Sequence, residues 1–281
     1  MPAVLWKVDG TVLDLTQRAL IMGVLNVTPD SFSDGGEFFA TRAAVKHGLE
    51  MARTGADIVD VGGESTRPGA EPVSPHEEME RVLPVIRELA SLIDAHLSVD
   101  TSKAEVARAA LAEGAVIIND VSGGRGDGAM LPLAAEKGAA LIIMHMQGTP
   151  GTMQANPIYK DVVAEVADFF RQQFAHAVRC GVDPMCIAFD PGIGFGKTVD
   201  HNLDLLANLP RLRVENRPLI VGVSRKSFLG RIAGKSGDRA SATVALTSLL
   251  RARGADVLRV HDVPSNATAL RTTEALLAAT R

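Results

Sequence analysis

A chain of 281 residues with 46% hydrophobic content can bury a large core, and its length suits two small domains or one α/β barrel, which commonly runs to about 250 residues. The net charge of −4 argues against a broad nucleic-acid-binding surface, and two cysteines, Cys180 and Cys186, are too few for a disulfide framework or a Cys-based zinc site. The first ten residues lack the basic-then-apolar order of a secretory signal, and no stretch approaches the roughly 18 uninterrupted apolar residues of a membrane helix, so the expectation is a soluble, cytoplasmic protein.

The opening VLWKVDGTVLDL (4–15) reads as a β-hairpin with Asp9-Gly10 at its turn, placed to cover one end of the main fold. A unit then recurs: a helix-like segment rich in Ala and charge, and after it a short apolar run. The runs are ALIMGVLN (19–26), ADIVDVGG (56–63), AHLSVD (95–100), AVIIND (115–120), AALIIMHM (139–146), VDPMCIAFD (182–190), PLIVGVS (218–224) and ADVLRVHD (255–262). Five of them follow a glycine, at Gly55, Gly114, Gly138, Gly181 and Gly254, where a helix ends and the left-handed conformation is wanted. The runs lack polar–apolar alternation, which suits strands buried on both faces of a parallel sheet. Eight such units with no Pro/Ser-rich linker predict an α/β fold of one domain over 1–281. It is a (β/α)8 TIM barrel with a short N-terminal β-hairpin over 1–18, and an open doubly wound sheet is the alternative.

Each run turns polar at its C-terminal end. Asn26, Asp60, Asp100, Asn119, Asp120, His145, Asp190, Arg259 and His261 all stand at or near such ends. A parallel barrel gathers those ends on one rim, where active sites of this fold are built. One such Asp is more often a turn or cap residue than a ligand group. Nine on one rim point to a polar ligand, because buried carboxylates are costly unless paired. Two long loops, VTPDSFSDGGEF (27–38) and GGESTRPGAEPVS (62–74), come after the first two barrel strands and read as candidate lids.

At these residues the chain resembles the dihydropteroate synthase family of pterin-binding TIM barrels. MGVLNVTPDSFSDGG (22–36) is similar to that family's first signature and DVGGESTRPGAEPVS (60–74) to its second. The resemblance continues in family order through SVDTSK (98–103), IINDVSG (117–123), HMQGTP (145–150), DPGIGFGK (190–197), SRKSFLG (224–230) and RVHDV (259–263). It implies an alkyl transferase of folate biosynthesis and a sulfonamide target. A 7,8-dihydropterin carrying a CH2–O–diphosphate would react with p-aminobenzoate to give 7,8-dihydropteroate, with Mg2+ as cofactor.

The resemblance also implies site roles. Asp100, Asn119, Met144, Asp190, Phe195, Gly222 and Lys226 are assigned to the pterin, whose aminopyrimidine edge calls for carboxylates and amides. Asn26, Thr66, Arg259 and His261 are assigned to the diphosphate, and Asn26 to Mg2+. Arg259 and His261 alternate along the last strand and so share a face. Phe32, Thr66, Arg67, Pro68, Lys226 and Ser227 are assigned to p-aminobenzoate, with Ser227 offering a hydroxyl to its carboxylate. The catalytic set is Asn26, Asp34, Lys226, Arg259 and His261. Asp34 would either stabilise a cationic intermediate or complete the Mg2+ shell.

No Ser/His/Asp or Cys/His arrangement suggests a covalent enzyme intermediate, so the expected reaction is a dissociative substitution in which the C–O bond breaks first. A corrinoid-dependent methyltransferase acting on methyltetrahydrofolate would share the pterin-edge carboxylates, but would need neither the Arg259/His261 pair nor the two long loops. A non-catalytic paralogue should have lost some of these residues. The resemblance further implies a homodimer, for which the late helices over 238–254 and 266–280, rich in small and apolar residues, are the candidate interface.

Overall fold

Asp9 and Gly10 both take positive φ, +49° and +71°, the backbone that a tight hairpin with right-handed strand twist requires. They turn β1 (Leu5–Val8) back on β2 (Thr11–Asp14) as an antiparallel pair. The computed structural model describes residues 2–28, 36–66, 69–234 and 238–279.

After the hairpin, strands and helices alternate. β3 (Leu20–Asn26), α1 (Gly36–Thr54), β4 (Ile58–Gly62), α2 (Pro75–Ala90), β5 (His96–Asp100), α3 (Ala104–Ala112) and β6 (Ile117–Asp120) form the first half. Next come α4 (Met130–Lys137), β7 (Ala140–Met144), α5 (Val162–Arg179), β8 (Ile187–Asp190), α6 (Val199–Ala207) and β9 (Ile220–Val221). The chain then makes α7 (Ser227–Ala233), α8 (Arg239–Ala252), β10 (Val257–Val260) and α9 (Val263–Ala279). β3 to β10 run parallel in the order β8-β7-β6-β5-β4-β3-β10-β9. A parallel bridge between Phe189 and Leu219 joins the two ends, with Phe189 N donating to Pro218 O at 2.9 Å. That bridge closes the (β/α)8 barrel and decides against the open sheet. No helix among the described residues is long and apolar enough to cross a membrane.

β9 is much shorter than the run 218–224 that sequence reading assigns to it. Pro218 has no N–H to give to a ladder, and past Val221 the chain leaves the sheet in a turn with Arg225 at φ +58°. The glycine punctuation is visible at Gly114, with φ +111° after α3. A Cβ there would approach Ala90 Cβ to 2.6 Å, so glycine permits both the backbone conformation and the close passage of α2.

Alternation along the strands splits the core in two. Residues of one phase, such as Val59, Val99, Ile118 and Phe189, pack outward against Ile86, Leu89 and Phe170 of the helices. Residues of the other phase, such as Met22, Ile58, Ile117, Ile142 and Ala188, pack inside the barrel. The hairpin plugs that interior from the N-terminal end: Trp6 is wholly buried in the inner cluster, and its indole N–H donates to Cys186 O at 2.9 Å. The apolar lower interior leaves the opposite, C-terminal end for polar side chains.

Trp6→Ala removes the largest side chain of this plug. The expected cost is about 3–5 kcal/mol, as for other large-to-small core changes, read as a lower urea midpoint with an unchanged slope. An unmoved midpoint would mean that the hairpin is an ornament rather than part of the core.

Candidate active site

Strand phase sorts the nine polar strand-end residues. Parallel pairing aligns Asn26 with Gly62, Gly62 with Asp100, and Asp100 with Asn119, so one row crosses four neighbouring strands. Asp60, Asp190 and Arg259 share the interior phase of their strands with Ile58, Ala188 and Val257. Asp120 and His145 are one residue out of phase and point elsewhere. Asp120 accepts from Ser122 N at 2.8 Å and Gly124 N at 2.7 Å, as a turn residue does. His145 Nδ1 lies 3.0 Å from Lys197 Nζ, and its ring meets Phe169 edge-on. Burial, then the Lys197 and Arg125 charges, push its pKa down to about 2, so the imidazole is neutral.

At the centre of the interior cluster stands Arg259. Its Nε donates to Asp60 Oδ2 at 2.7 Å and its Nη2 to Asp100 Oδ2 at 2.7 Å. Nη2 also lies 2.6 Å from Asp60 Oδ2. The same Asp60 oxygen accepts from Asn119 Nδ2 at 3.0 Å. A carboxylate can only accept, so this contact fixes which end of the Asn119 amide is nitrogen. Asp60 is wholly buried, and its Oδ1 has no hydrogen-bond partner among the described residues. Burial works against the Arg259 charge, but Asp60 and Asp100 more than restore it and raise its pKa. Burial likewise pushes Asp100 up to about 7; Arg259 opposes this, while Asp60, Glu78 and Asp120 add to it.

A second group faces this one. Asp190, 7% exposed, accepts from Gly192 N at 2.7 Å through Oδ1. Burial raises its pKa against the pull of that N–H and of Lys226. Gly192 must lack a side chain: its φ is +64°, and a Cβ would lie 1.9 Å from His145 O. The Lys226 ammonium rests 4.0 Å from the centre of the Phe195 ring, a cation–π contact. Its pKa is lowered by burial to about 8, with Asp190 opposing, Arg259 adding and Asp100 opposing. Beneath Phe195, the buried Lys197 donates to Phe195 O at 2.9 Å and has its pKa lowered by burial to about 7. Met144, Met146 and Met153 pack with Val121 and Phe195 into an apolar patch at the rim, a surface suited to a flat ring.

Asn26 and Thr66 are half-buried, and Ser227 is exposed at the start of α7. Gly222 lies beside Arg259, whose Cβ a Gly222 side chain would meet at 3.7 Å. His261 comes just after β10 and is held by Ser224, whose Oγ accepts from His261 N at 3.2 Å and lies 2.9 Å from Nδ1. Phe32, Asp34, Arg67 and Pro68 lie outside the described residues. Three features carry no role in the sequence reading: the bridging place of Asp60, the buried Lys197, and an ion network of Lys103 with Glu64 and Glu78. Asp60 was findable, because it stands two residues before Gly62 and therefore on the interior face. Lys197 and Lys103 sit in quoted motifs, but their partners come from other elements.

Residues 22–261 match the family of pterin binding enzymes. The chain is 47% identical over 272 residues to the dihydropteroate synthase of Escherichia coli K12, covering 96% of each chain. The structure of Xanthomonas albilineans dihydropteroate synthase with 4-aminobenzoic acid superposes with a TM-score of 0.91 at 44% identity, over 99% of both chains. That enzyme has also been solved with 7,8-dihydropteroate, matching at TM-score 0.87 and 42% identity over 98% of this chain and 99% of that one. The Yersinia pestis dihydropteroate synthase in a sulfonamide drug complex matches at TM-score 0.91 and 42% identity, over 98% of this chain and 99% of that one. With the family match spanning β3 to the end of β10, and relatives this similar along nearly their whole length, the chain belongs to the pterin-binding enzymes, and among them to the dihydropteroate synthase family.

Proposed function

We propose that this chain, as one barrel domain, makes 7,8-dihydropteroate by transferring the (7,8-dihydropterin-6-yl)methyl group from diphosphate to the amino nitrogen of p-aminobenzoate. The observation that carries this reading is the cluster of Asp100, Asn119 and Asp190 facing Lys226 and Arg259 at one mouth of the barrel. Three hydrogen-bonding side chains buried at one mouth are what an aminopyrimidine edge needs. With Nδ2 held by Asp60, Asn119 presents its amide oxygen to a pterin N–H. Asp190 keeps Oδ2 for the pterin while Oδ1 is tied to Gly192. Lys226 supplies a proton donor to the pterin's carbonyl side, and Met144, Phe195 and Gly222 flank the ring.

Arg259 has Nε and Nη2 turned to carboxylates, so it meets the diphosphate through Nη1, beside His261 and Thr66. Asn26 fits the family's Mg2+: its amide oxygen is a hard donor at the rim, and Mg2+ commonly takes one or two protein oxygens beside phosphate oxygens and water. Bound there, Mg2+ supplies charge that stabilises the leaving group.

In the reaction the C–O bond breaks with its electron pair passing to diphosphate. The electron-rich pterin delocalises the resulting cation, with Asp34 as a candidate for stabilising it. The aniline lone pair then forms the C–N bond, and the proton of the resulting anilinium passes to the released diphosphate or to water. Phe32, Thr66, Arg67, Pro68, Lys226 and Ser227 hold p-aminobenzoate. Cys180 and Cys186 are both free thiols, consistent with a reducing, cytoplasmic setting. The direct experiment is to supply the pterin diphosphate, p-aminobenzoate and Mg2+ and measure pyrophosphate and dihydropteroate; appearance of neither would overturn the proposal.

α8 and α9 are the proposed homodimer face. They bury Leu250 and Leu270 and join through a 2.6 Å bond from Thr247 to Asn266, while Leu249 and Leu276 remain 47% and 65% exposed. Sedimentation at micromolar concentration should give a dimer that Leu276→Glu dissociates.

Arg259 offers a sharper test of the leaving-group role. Alanine there would strip Asp60 and Asp100 of their cation, so loss of activity would be uninformative. Arg259→Lys keeps the charge and loses the fork geometry. It should weaken pterin-diphosphate binding by about 1.5–3 kcal/mol, the range for hydrogen bonds to charged groups, and affect the unphosphorylated pterin alcohol much less. Equal losses for both ligands in calorimetry would contradict the diphosphate role.

The perturbed pKa values set a pH profile. Pterin recognition needs Asp100 ionised and Lys226 protonated. Asp100 lies at about 7 and Lys226 at about 8. Affinity should therefore rise as pH passes the first value and fall as it passes the second. Asp100→Asn should remove the acid limb and Lys226→Met the alkaline one. An acid limb that survives in Asp100→Asn would belong to Asp190, the other pterin-facing carboxylate, whose pKa burial also raises.

A further inference from the structure

We infer that Glu64, Lys103 and Glu78 form a positioning device that holds residues 63–66 at the barrel mouth and thereby sets the p-aminobenzoate side of the site. This rests on the proposed reading that Thr66 touches that substrate.

Glu64 stands two residues after β4 and two before Thr66. Its Oε1 accepts from Val73 N at 3.0 Å and its Oε2 from Lys103 Nζ at 2.8 Å. One carboxylate thus ties together two points nine residues apart in the loop 62–74 and fastens both to the residue three after Asp100. Lys103 is fastened in turn: its Nζ donates to Glu78 Oε2 at 2.5 Å. Glu78 lies in the first turn of α2 and is wholly buried. Arg81 of the same helix donates to Gly63 O at 2.7 Å while pairing with Glu77. Gly63 permits this approach, because a Cβ there would come within 2.8 Å of Val82.

Stability alone accounts poorly for the arrangement. Two carboxylates around one lysine, with Glu78 Oε1 lacking a partner among the described residues, make an expensive way to fill space, since well-packed apolar residues commonly do as well or better. What such a network supplies is direction. Ion pairs this sheltered are screened less by salt than surface pairs; the Lys103 and Glu64 side chains are 22% and 19% exposed. Burial works against the Lys103 charge, but the two carboxylates outweigh it and raise its pKa, so Lys103 stays charged at neutral pH. The network joins three elements of the mouth: the end of β4, the start of α2, and the turn between β5, which carries Asp100, and α3. Its output is the position of the backbone leading to Thr66, on the side away from the pterin-facing Asp190.

The test uses the full-length enzyme with Mg2+ and both substrates. Lys103→Met would leave Glu78 buried without a cation and is prone to unfold, so the informative variant is Glu64→Ala, which spares the Lys103–Glu78 pair. KM for p-aminobenzoate should rise about tenfold, a cost in line with sub-ångström misplacement of a binding group. KM for the pterin diphosphate, which is held mainly by Arg259, His261 and the pterin pocket, should rise much less, and the melting temperature should stay near that of the parent. Glu64→Gln, which keeps an acceptor for Val73 N, should recover part of the loss. An unchanged p-aminobenzoate KM, or equal rises in both KM values with a lowered melting temperature, would overturn the inference. Thr66→Ala, run in parallel, separates the two levels. If it raises the p-aminobenzoate KM and Glu64→Ala does not, the substrate reading stands and the positioning role alone fails. If Thr66→Ala leaves that KM unmoved, the substrate reading fails and the inference fails with it.

Discussion

Inside the barrel mouth, one guanidinium between two carboxylates governs the arrangement of everything else. Arg259 bridges Asp60 and Asp100, and the three residues come from three different strands: β10, β4 and β5. None of the three charges could be left alone at that depth, because an uncompensated buried charge costs several kcal/mol. Burial raises the Asp100 pKa to about 7 against the pull of Arg259, and the shared oxygen of Asp60 orients Asn119. Parallel strands in register are what allow it, since Asn26, Gly62, Asp100 and Asn119 lie in one row across four strands.

The two ends of the barrel divide the labour. At the N-terminal end the hairpin seals an interior of Met22, Ile58, Ile117 and Ile142 with Trp6, and apolar burial there stabilises the closed sheet. At the C-terminal end the same alternation of side chains places polar groups inside, at a cost that the apolar end helps to offset. Lysines then act as props rather than surface charges. Lys197 supports the backbone under Phe195, and Lys103 ties the turn after β5 to the stretch after β4. Both sit just behind residues proposed to touch substrate. A site built on strand ends inherits the rigidity of the sheet, but the loops carrying the remaining contacts need such ties of their own.

Much of this was legible in the chain itself. Glycines at helix ends, uniform apolar runs and polar run ends are local signals, and they carried the count of eight strand–helix units, the hairpin, and the rim on which the polar residues gather. Pro218 was a visible warning that the seventh barrel strand would be short, since a residue without an N–H cannot serve a ladder from both sides. The ordered motifs also carried the family. What the motifs could not carry was which neighbours hold their lysines, because Lys103 meets Glu64 across 39 residues and Lys197 meets His145 across 52.

The sequence by itself determined the alternating architecture, the family, and the set of polar side chains available at one rim, because those depend on residue type and on period. Only the tertiary structure decided which of them face each other. A one-residue change of phase sends Asp120 and His145 away from the interior while Asp100, Asn119, Asp190 and Arg259 converge there. Phase, register and barrel closure are properties of paired strands, and no single strand encodes them.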